Sequence, residues 1–197
     1  MNTAQPIRKE ADLRHLKEYY RSTCPNQRNY LLLVMGLNTA LRISDILSLR
    51  WGDVYDFGLK RCKEHLCITE QKTDKNSMIL INQNIQNALM EYKRYLASQK
   101  KSVTEEIFLF ENNRKEGGSI SRVQAFRIIK KAATACKLEG VVSCHSLRKT
   151  FGYYAWQQGI KPALLMNIYN HSSFQVTVRY LGIEQDDRDE IFRNIEI

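Results

Sequence analysis

Three short stretches set charged and titratable side chains into apolar frames. The first is Ala40-Leu41-Arg42-Ile43-Ser44-Asp45-Ile46-Leu47-Ser48-Leu49. Arg42 and Asp45 are three residues apart, so on a helix they share a face and the carboxylate can orient the guanidinium. The second is His145-Ser146-Leu147-Arg148-Lys149-Thr150, where His145 and Arg148 have the same spacing. The third runs from Asn170-His171-Ser172-Ser173 to Val178-Arg179-Tyr180, with Tyr180 nine residues after His171. Two guanidinium forks can each hold a pair of anionic oxygens, which a lysine cannot do bidentately. Histidine supplies acid–base capacity near neutrality. A phenol, with a reference pKa of about 10, becomes a nucleophile once cations and a base help it ionise. Taken singly, each stretch is ordinary: an Arg–Asp pair on a helix is usually a surface ion pair, and a tyrosine on an amphipathic segment is usually core.

Taken together and in this order, they resemble the tyrosine recombinase (phage integrase) family over about Leu13 to Leu181. Its pattern is an arginine in a T-G-L-R-x-x-E/D-like helix, a lysine on a β-hairpin, H-x-L-R, a G-H-x-S-like stretch, and a tyrosine nine residues after that histidine. Ala40 and Asn170 stand where the family usually has glycine; both are small or turn-tolerant. The resemblance implies a site-specific DNA recombinase working by transesterification through a 3′-phosphotyrosine, with Tyr180 as nucleophile. It implies Arg42 and Arg148 as the phosphate clamp, His145 as general base, and His171 as a hydrogen-bond donor to the phosphate. Lys72, in the Lys72-Thr73 position, is the general acid, with Lys75 as fallback. Asp45 orients Arg42 or His145. Neither metal nor nucleotide is implied, because the covalent link conserves the phosphodiester energy. The alternatives are a type IB topoisomerase-like enzyme, which shares this chemistry, and a catalytically silent DNA-binding regulator, which has no need for Tyr180.

The elements that must position these groups are legible in outline. The 197 residues are 43% hydrophobic and 26% charged, which fits a globular domain with its own core. Residues 10–20 carry Leu13, Leu16 and Tyr20 at helical spacing. Residues 28–37 are apolar almost all round, which predicts a central buried helix. Arg42 to Leu49 continues as helix. Residues 54–81 change to β character, with Cys67–Thr69 and Met78–Ile81 flanking a turn-rich Gln71–Asn76 hairpin that bears the lysines. Helical stripes return at Ile85, Ala88, Leu89, Tyr92 and Leu96, and at Val123, Phe126, Ile129, Ala133 and Cys136. Arg114 to Gly118 is a loop, residues 145–158 are a helix, and Pro162 begins another. The expected fold is therefore mostly α with a small antiparallel sheet (α+β), that of a tyrosine recombinase catalytic domain. Residues 1–8 are expected to form a flexible arm, 9–183 the catalytic domain, and 184–197 a tail. With Arg42 this early, the family's N-terminal DNA-binding domain is not expected ahead of it, which fits either a catalytic domain separated from a longer chain or a short form resembling the recombinases that invert fimbrial promoter elements.

Charge bounds the partner. The formal net charge is +9; residues 184–197 hold six acidic against two basic residues, leaving +13 on the rest. A basic body with an acidic tail is the footprint of a nucleic-acid binder, and the family resemblance implies that the nucleic acid is double-stranded DNA. Arg127, Lys130 and Lys131 cluster off their helix's apolar stripe and, with Lys75 and Arg179, are candidate DNA contacts. Ile183, Ile191, Phe192 and Ile195 could form an apolar face on a last helix. The resemblance implies that this tail packs on a neighbouring protomer of a homo-tetramer on DNA, with an accessory DNA-bending protein as a further partner. Five cysteines without a C-x-x-C pair argue for a reducing, cytoplasmic setting. Cys62, His65 and Cys67 lack a fourth ligand for zinc. No apolar run is long enough to span a bilayer.

Overall fold

The computed structural model describes residues 4–112, 117–182, 189, 192–193 and 195. The helix that organises them is α2 (Gln27–Asn38), capped by the Asn26 side chain, which accepts from the Asn29 N–H. Leu31 to Gly36 are all buried, so this segment has no solvent face, as its unbroken apolar run predicts. Around it pack α1 (Glu10–Glu18), α5 (Gln83–Ser98), α6 (Arg122–Ala135) and α7 (Cys144–Gln157). A π-helical turn, Tyr19–Thr23, joins α1 to the segment before α2. Ser121 and Ser143 open α6 and α7 as side-chain caps, and Asn82 opens α5 in the same way. The stripe expected on α5 is the buried one: Ile85, Ala88, Leu89, Tyr92 and Leu96.

Several expectations are corrected. Arg42 is not inside a helix. The chain leaves α2 through Ala40, whose φ is +55°, and Arg42 is the extended N-cap residue of α3 (Ile43–Ser48); α4 (Trp51–Val54) follows. The β region is two separate two-stranded antiparallel sheets: β1 (Tyr55–Asp56) with β2 (Arg61–Cys62), and β3 (His65–Thr69) with β4 (Asn76–Leu80). On α6 the buried face is Ala125, Ile128, Ile129, Ala132 and Ala133, whereas Val123 and Phe126 are exposed. This face, alanines and isoleucines together, is the one that α6 turns toward the core, where it meets α2, α3 and α7. The N-terminal segment lacks regular structure but is fastened. Ile7 is buried, its N–H donates to Thr150 Oγ1 at 2.8 Å, and the Tyr154 hydroxyl donates to the Arg8 carbonyl at 2.7 Å. Within the expected loop at 114–118, residues 114–116 lie outside the described residues.

A second, smaller core lies beneath the candidate site. It joins Ala40 to Leu165 and Tyr169 of α8 (Pro162–Tyr169) and Leu181 of α9 (Phe174–Leu181). Gly152 of α7 closes it. A Cβ there would lie 2.5 Å from Tyr169 Oη and 2.6 Å from Leu181 Cδ2. We expect Gly152→Ala to destabilise the protein by about 1–3 kcal/mol through overpacking. Thermal unfolding checks this, and a midpoint unchanged from the parent would contradict the packing argument.

Candidate active site

Tyr180 sits on α9, whose Ser173 cap accepts from the Val176 N–H at 3.3 Å. Its ring lies 5.4 Å from Tyr169 and 5.2 Å from His171, centroid to centroid. The Lys149 ammonium is 5.0 Å from its centroid and the Arg148 guanidinium 6.0 Å. The Tyr180 hydroxyl is buried and has no hydrogen-bond partner among the described residues. Burial raises its pKa above 10, and Arg148 and Arg42 pull the other way. The phenol is therefore protonated at neutral pH and needs a base in order to attack.

Arg148, on α7, is buried to 5% exposure with no carboxylate at ion-pair distance among the described residues. Its Nη2 reaches the Tyr169 carbonyl at 3.5 Å, its guanidinium covers the Tyr169 ring at 4.9 Å, and its Nε is unpartnered. Desolvation lowers its pKa. Tyr169 in turn donates its hydroxyl to the Arg148 carbonyl at 2.6 Å, tying α8 to α7. Arg42 enters from α3, and the carboxylate on it is Glu70, at 2.5 Å. Asp45, expected to orient Arg42 or His145, is instead buried beneath the hairpin, where its Oδ1 accepts from the Gln71 N–H at 3.1 Å. The physical reason is the break at Ala40, which makes Arg42 the extended N-cap of α3 and points its guanidinium to Glu70 instead.

The β3–β4 turn presents Lys72, which is exposed. Lys75, the fallback acid, is committed elsewhere: its ammonium donates to Asn167 Oδ1 of α8 at 2.9 Å. The Asn170 side chain donates to Thr73 Oγ1 at 3.2 Å, so the hairpin tip is held against the end of α8. Asn170 has φ +57°, and His171 follows directly with its Nδ1 3.1 Å from Thr177 Oγ1. The left-handed turn thus swings the His171 ring onto Tyr169 and Tyr180. His145, at the first turn of α7, has its pKa held below 6.5 by desolvation and then by Arg148, Lys149, Arg42 and Lys72. The residue is exposed overall, so the cations are the cause that persists in solvent. Desolvation, Arg148 and Arg42 lower His171 too.

Both imidazoles are thus neutral at pH 7, and the unfolded chain binds protons more readily than the folded one just below pH 6.5. Stability should fall as pH drops through and below that value. We expect the double variant His145→Gln/His171→Gln to lose less of its thermal midpoint between pH 7.5 and pH 5 than the parent; equal losses would contradict the shifts.

The structure brings Arg42, Lys72, His145, Arg148, His171 and Tyr180 to one basin. Arg127, Lys130 and Lys131 are exposed on α6, and Arg179 is exposed next to Tyr180. Sequence reasoning missed Glu70, Lys149 and Tyr169. Lys149 carried a signal, being four residues from His145; Tyr169 reads as ordinary core, and Glu70 as a strand-end residue. The second arginine and the lysines leave the basin strongly cationic, and its buried hydroxyl stands ready to meet an anionic group. Among the described residues no cluster of three His, Cys, Asp or Glu side chains could hold a metal ion, and no helix is long and apolar enough to cross a membrane.

Residues 9–186 match the sequence profile of the phage integrase family. A probable integrase/recombinase of Bacillus subtilis is 41% identical over 186 residues, covering 94% of this chain and 93% of that protein. The chain spans about half the length of other curated tyrosine recombinases it matches, 52% in each of two cases. Among solved structures, XerH site-specific recombinase bound to its palindromic difH substrate superposes with a TM-score of 0.75 at 18% identity, covering 98% of this chain and 54% of that one. Lambda integrase bound to DNA gives 0.67 at 18% identity, covering 100% of this chain and 65% of that one.

Proposed function

Because the chain belongs to the phage integrase family, we propose that it is a tyrosine recombinase that cuts and rejoins double-stranded DNA at specific sites through Tyr180. The observation that carries this reading is the Tyr180 hydroxyl, buried without a partner among the described residues and flanked by the cations of Arg148 and Lys149. Arg42 and Arg148 hold the non-bridging oxygens of the scissile phosphate and stabilise the charge that builds there. His145 takes the phenolic proton as the Tyr180 oxygen bonds to phosphorus. The bond from phosphorus to the 5′-oxygen breaks, and Lys72 protonates the departing oxygen. His171 donates to the phosphate from its Nε2, and Asp45 steadies the hairpin that carries Lys72. Attack by a 5′-hydroxyl reverses every transfer, so no step consumes a nucleotide or requires a metal. The recombinase and integrase relatives favour this over topoisomerase-like relaxation or a silent regulator.

The test is a DNA duplex nicked beside the scissile phosphate, so that the cleaved end diffuses away, incubated with the protein in excess chelator. A covalent protein–DNA band on a denaturing gel supports the reading, and a strict magnesium requirement would sink it.

The protein acts in the cytoplasm as a homo-oligomer on DNA, a tetramer at the paired site, with an accessory DNA-bending protein. Exposed Arg127, Lys130, Lys131 and Arg179 supply phosphate contacts, which position without specifying sequence. Phe192 and Ile195 are exposed rather than docked on their own core, and Ile183 and Ile191 lie outside the described residues. An apolar groove of about 530 Å³ between α1, α7 and α8, lined by Leu13, Phe151, Tyr154, Leu164 and Ile168, fits such a tail from a neighbouring protomer. Removing residues 184–197 should leave single-site cleavage intact while weakening assembly, as read by native gel mobility of the DNA complex; unchanged assembly contradicts the tail's role.

A further inference from the structure

Glu70 is buried to 3% exposure at the point where β3 enters the Lys72 turn. Each of its polar groups is engaged. Its Oε2 accepts from Arg42 Nη1 at 2.5 Å and from Thr73 Oγ1 at 3.3 Å, and its Oε1 accepts from Ser77 Oγ at 2.9 Å. Its N–H donates to the Lys75 carbonyl, and its own carbonyl accepts from the Thr73 and Asp74 N–H groups. One residue therefore closes the turn that presents Lys72 and grips the arginine on the other side of the basin. Among the described residues only Nη1 of Arg42 is engaged, so its remaining nitrogens can meet a phosphate while Glu70 stays bound. A buried charge pair with this many additional bonds is a stiff connection, because breaking one partner leaves the other uncompensated.

We propose that Glu70 is a positioning residue that couples the Lys72 turn to Arg42, so that protonation of the 5′-leaving oxygen depends on the arginine being docked. The proposal rests on the reading of Lys72 as the general acid. It separates Glu70 from a merely structural ion pair by what it affects: departure of the leaving group, rather than attack or folding.

The experiment compares single-turnover cleavage of two nicked substrates, one with the ordinary 5′-oxygen at the scissile phosphate and one with sulfur in that bridging position. A thiolate departs without protonation, so the sulfur substrate bypasses the general acid. Glu70→Gln keeps the side-chain volume and should slow cleavage of the oxygen substrate by about 10-fold or more. On the sulfur substrate the loss should shrink to less than about 3-fold. Lys72→Ala on both substrates is the control. If sulfur rescues Lys72→Ala but not Glu70→Gln, the coupling is wrong and the acid assignment survives. If sulfur fails to rescue Lys72→Ala, the acid assignment falls and this proposal falls with it. No loss in Glu70→Gln on either substrate also overturns it. Ser77→Ala removes only the 2.9 Å bond to Glu70. It should show the same oxygen-selective loss on a smaller scale, which keeps the proposal testable should Glu70→Gln unfold.

Discussion

Tyr180→Phe should abolish the covalent protein–DNA band while leaving the protein folded and able to bind DNA. The substitution removes one atom. The ring contacts with Tyr169 and His171, and the approach of the Lys149 ammonium, are made by the aromatic face and remain. The lost hydroxyl has no hydrogen-bond partner among the described residues to strand. Burying an unpaired hydroxyl is unfavourable by about 1–3 kcal/mol, so the variant should melt at or above the parent temperature. Loss of a covalent nucleophile typically lowers a rate by about 10^4-fold or more. The measurement pairs the denaturing-gel assay with thermal unfolding and a gel-shift. A band that persists in Tyr180→Phe at the parent rate would remove Tyr180 from the chemistry altogether, whereas a missing band in an unfolded variant would show that the ring packing was misjudged.

Arg148→Met is the second large effect, and it acts in opposite directions on activity and stability. Arg148 is a nearly fully buried cation whose Nε finds no acceptor among the described residues, with a long contact to the Tyr169 carbonyl and a ring beneath it. A buried charge without a counter-ion weakens the fold unless something else compensates. Methionine fills much of the same volume without the charge, and so should raise the melting temperature of the DNA-free protein. Cleavage should fall by about 10^2–10^3-fold, the usual consequence of removing one preorganised donor from a developing negative charge. A melting temperature that drops instead would mean that the contacts with Tyr169 outweigh desolvation. Cleavage at the parent rate would mean that Arg42 alone holds the phosphate.

The helices that carry the site were readable because their apolar residues repeat at helical spacing, as on α5, or fill every position, as on α2. The polar residues of the basin were readable because their identities and order match a family pattern. Two positions where that pattern prefers glycine, Ala40 and Asn170, both adopt left-handed backbone here, with φ of +55° and +57°. Glycine carries no Cβ penalty there, and asparagine tolerates the region better than alanine does. The first of these turns also explains the main error about the site. Helical periodicity extends through Arg42 to Asp45, but the break at Ala40 makes Arg42 a cap residue and hands its carboxylate partner to Glu70, 28 residues away. No local spacing rule reports such a long-range pair. On α6 the weight given to Val123 and Phe126 rotated the expected stripe away from the buried face, which is Ala125, Ile128, Ile129, Ala132 and Ala133. The fastening of residues 5–8 was invisible because it is made largely by backbone groups and one buried isoleucine.

That fastening reaches further than α7. The Arg8 guanidinium donates to the Gly182 carbonyl at 2.9 Å, just past the last turn of the helix that bears Tyr180, and stacks on Tyr153. The segment leading into the fold and the end of the helix that bears Tyr180 are thus mechanically linked. Tension or torque applied ahead of Gln5, whether by a fused module, a tether or a surface attachment, loads the Ile7 contact with α7 and, at the next residue, the Arg8 contact at the end of α9. The arm is therefore a handle through which force outside the basin can tilt Tyr180, and a single-molecule pull on the N-terminus should change the cleavage rate at loads well below those that unfold the domain.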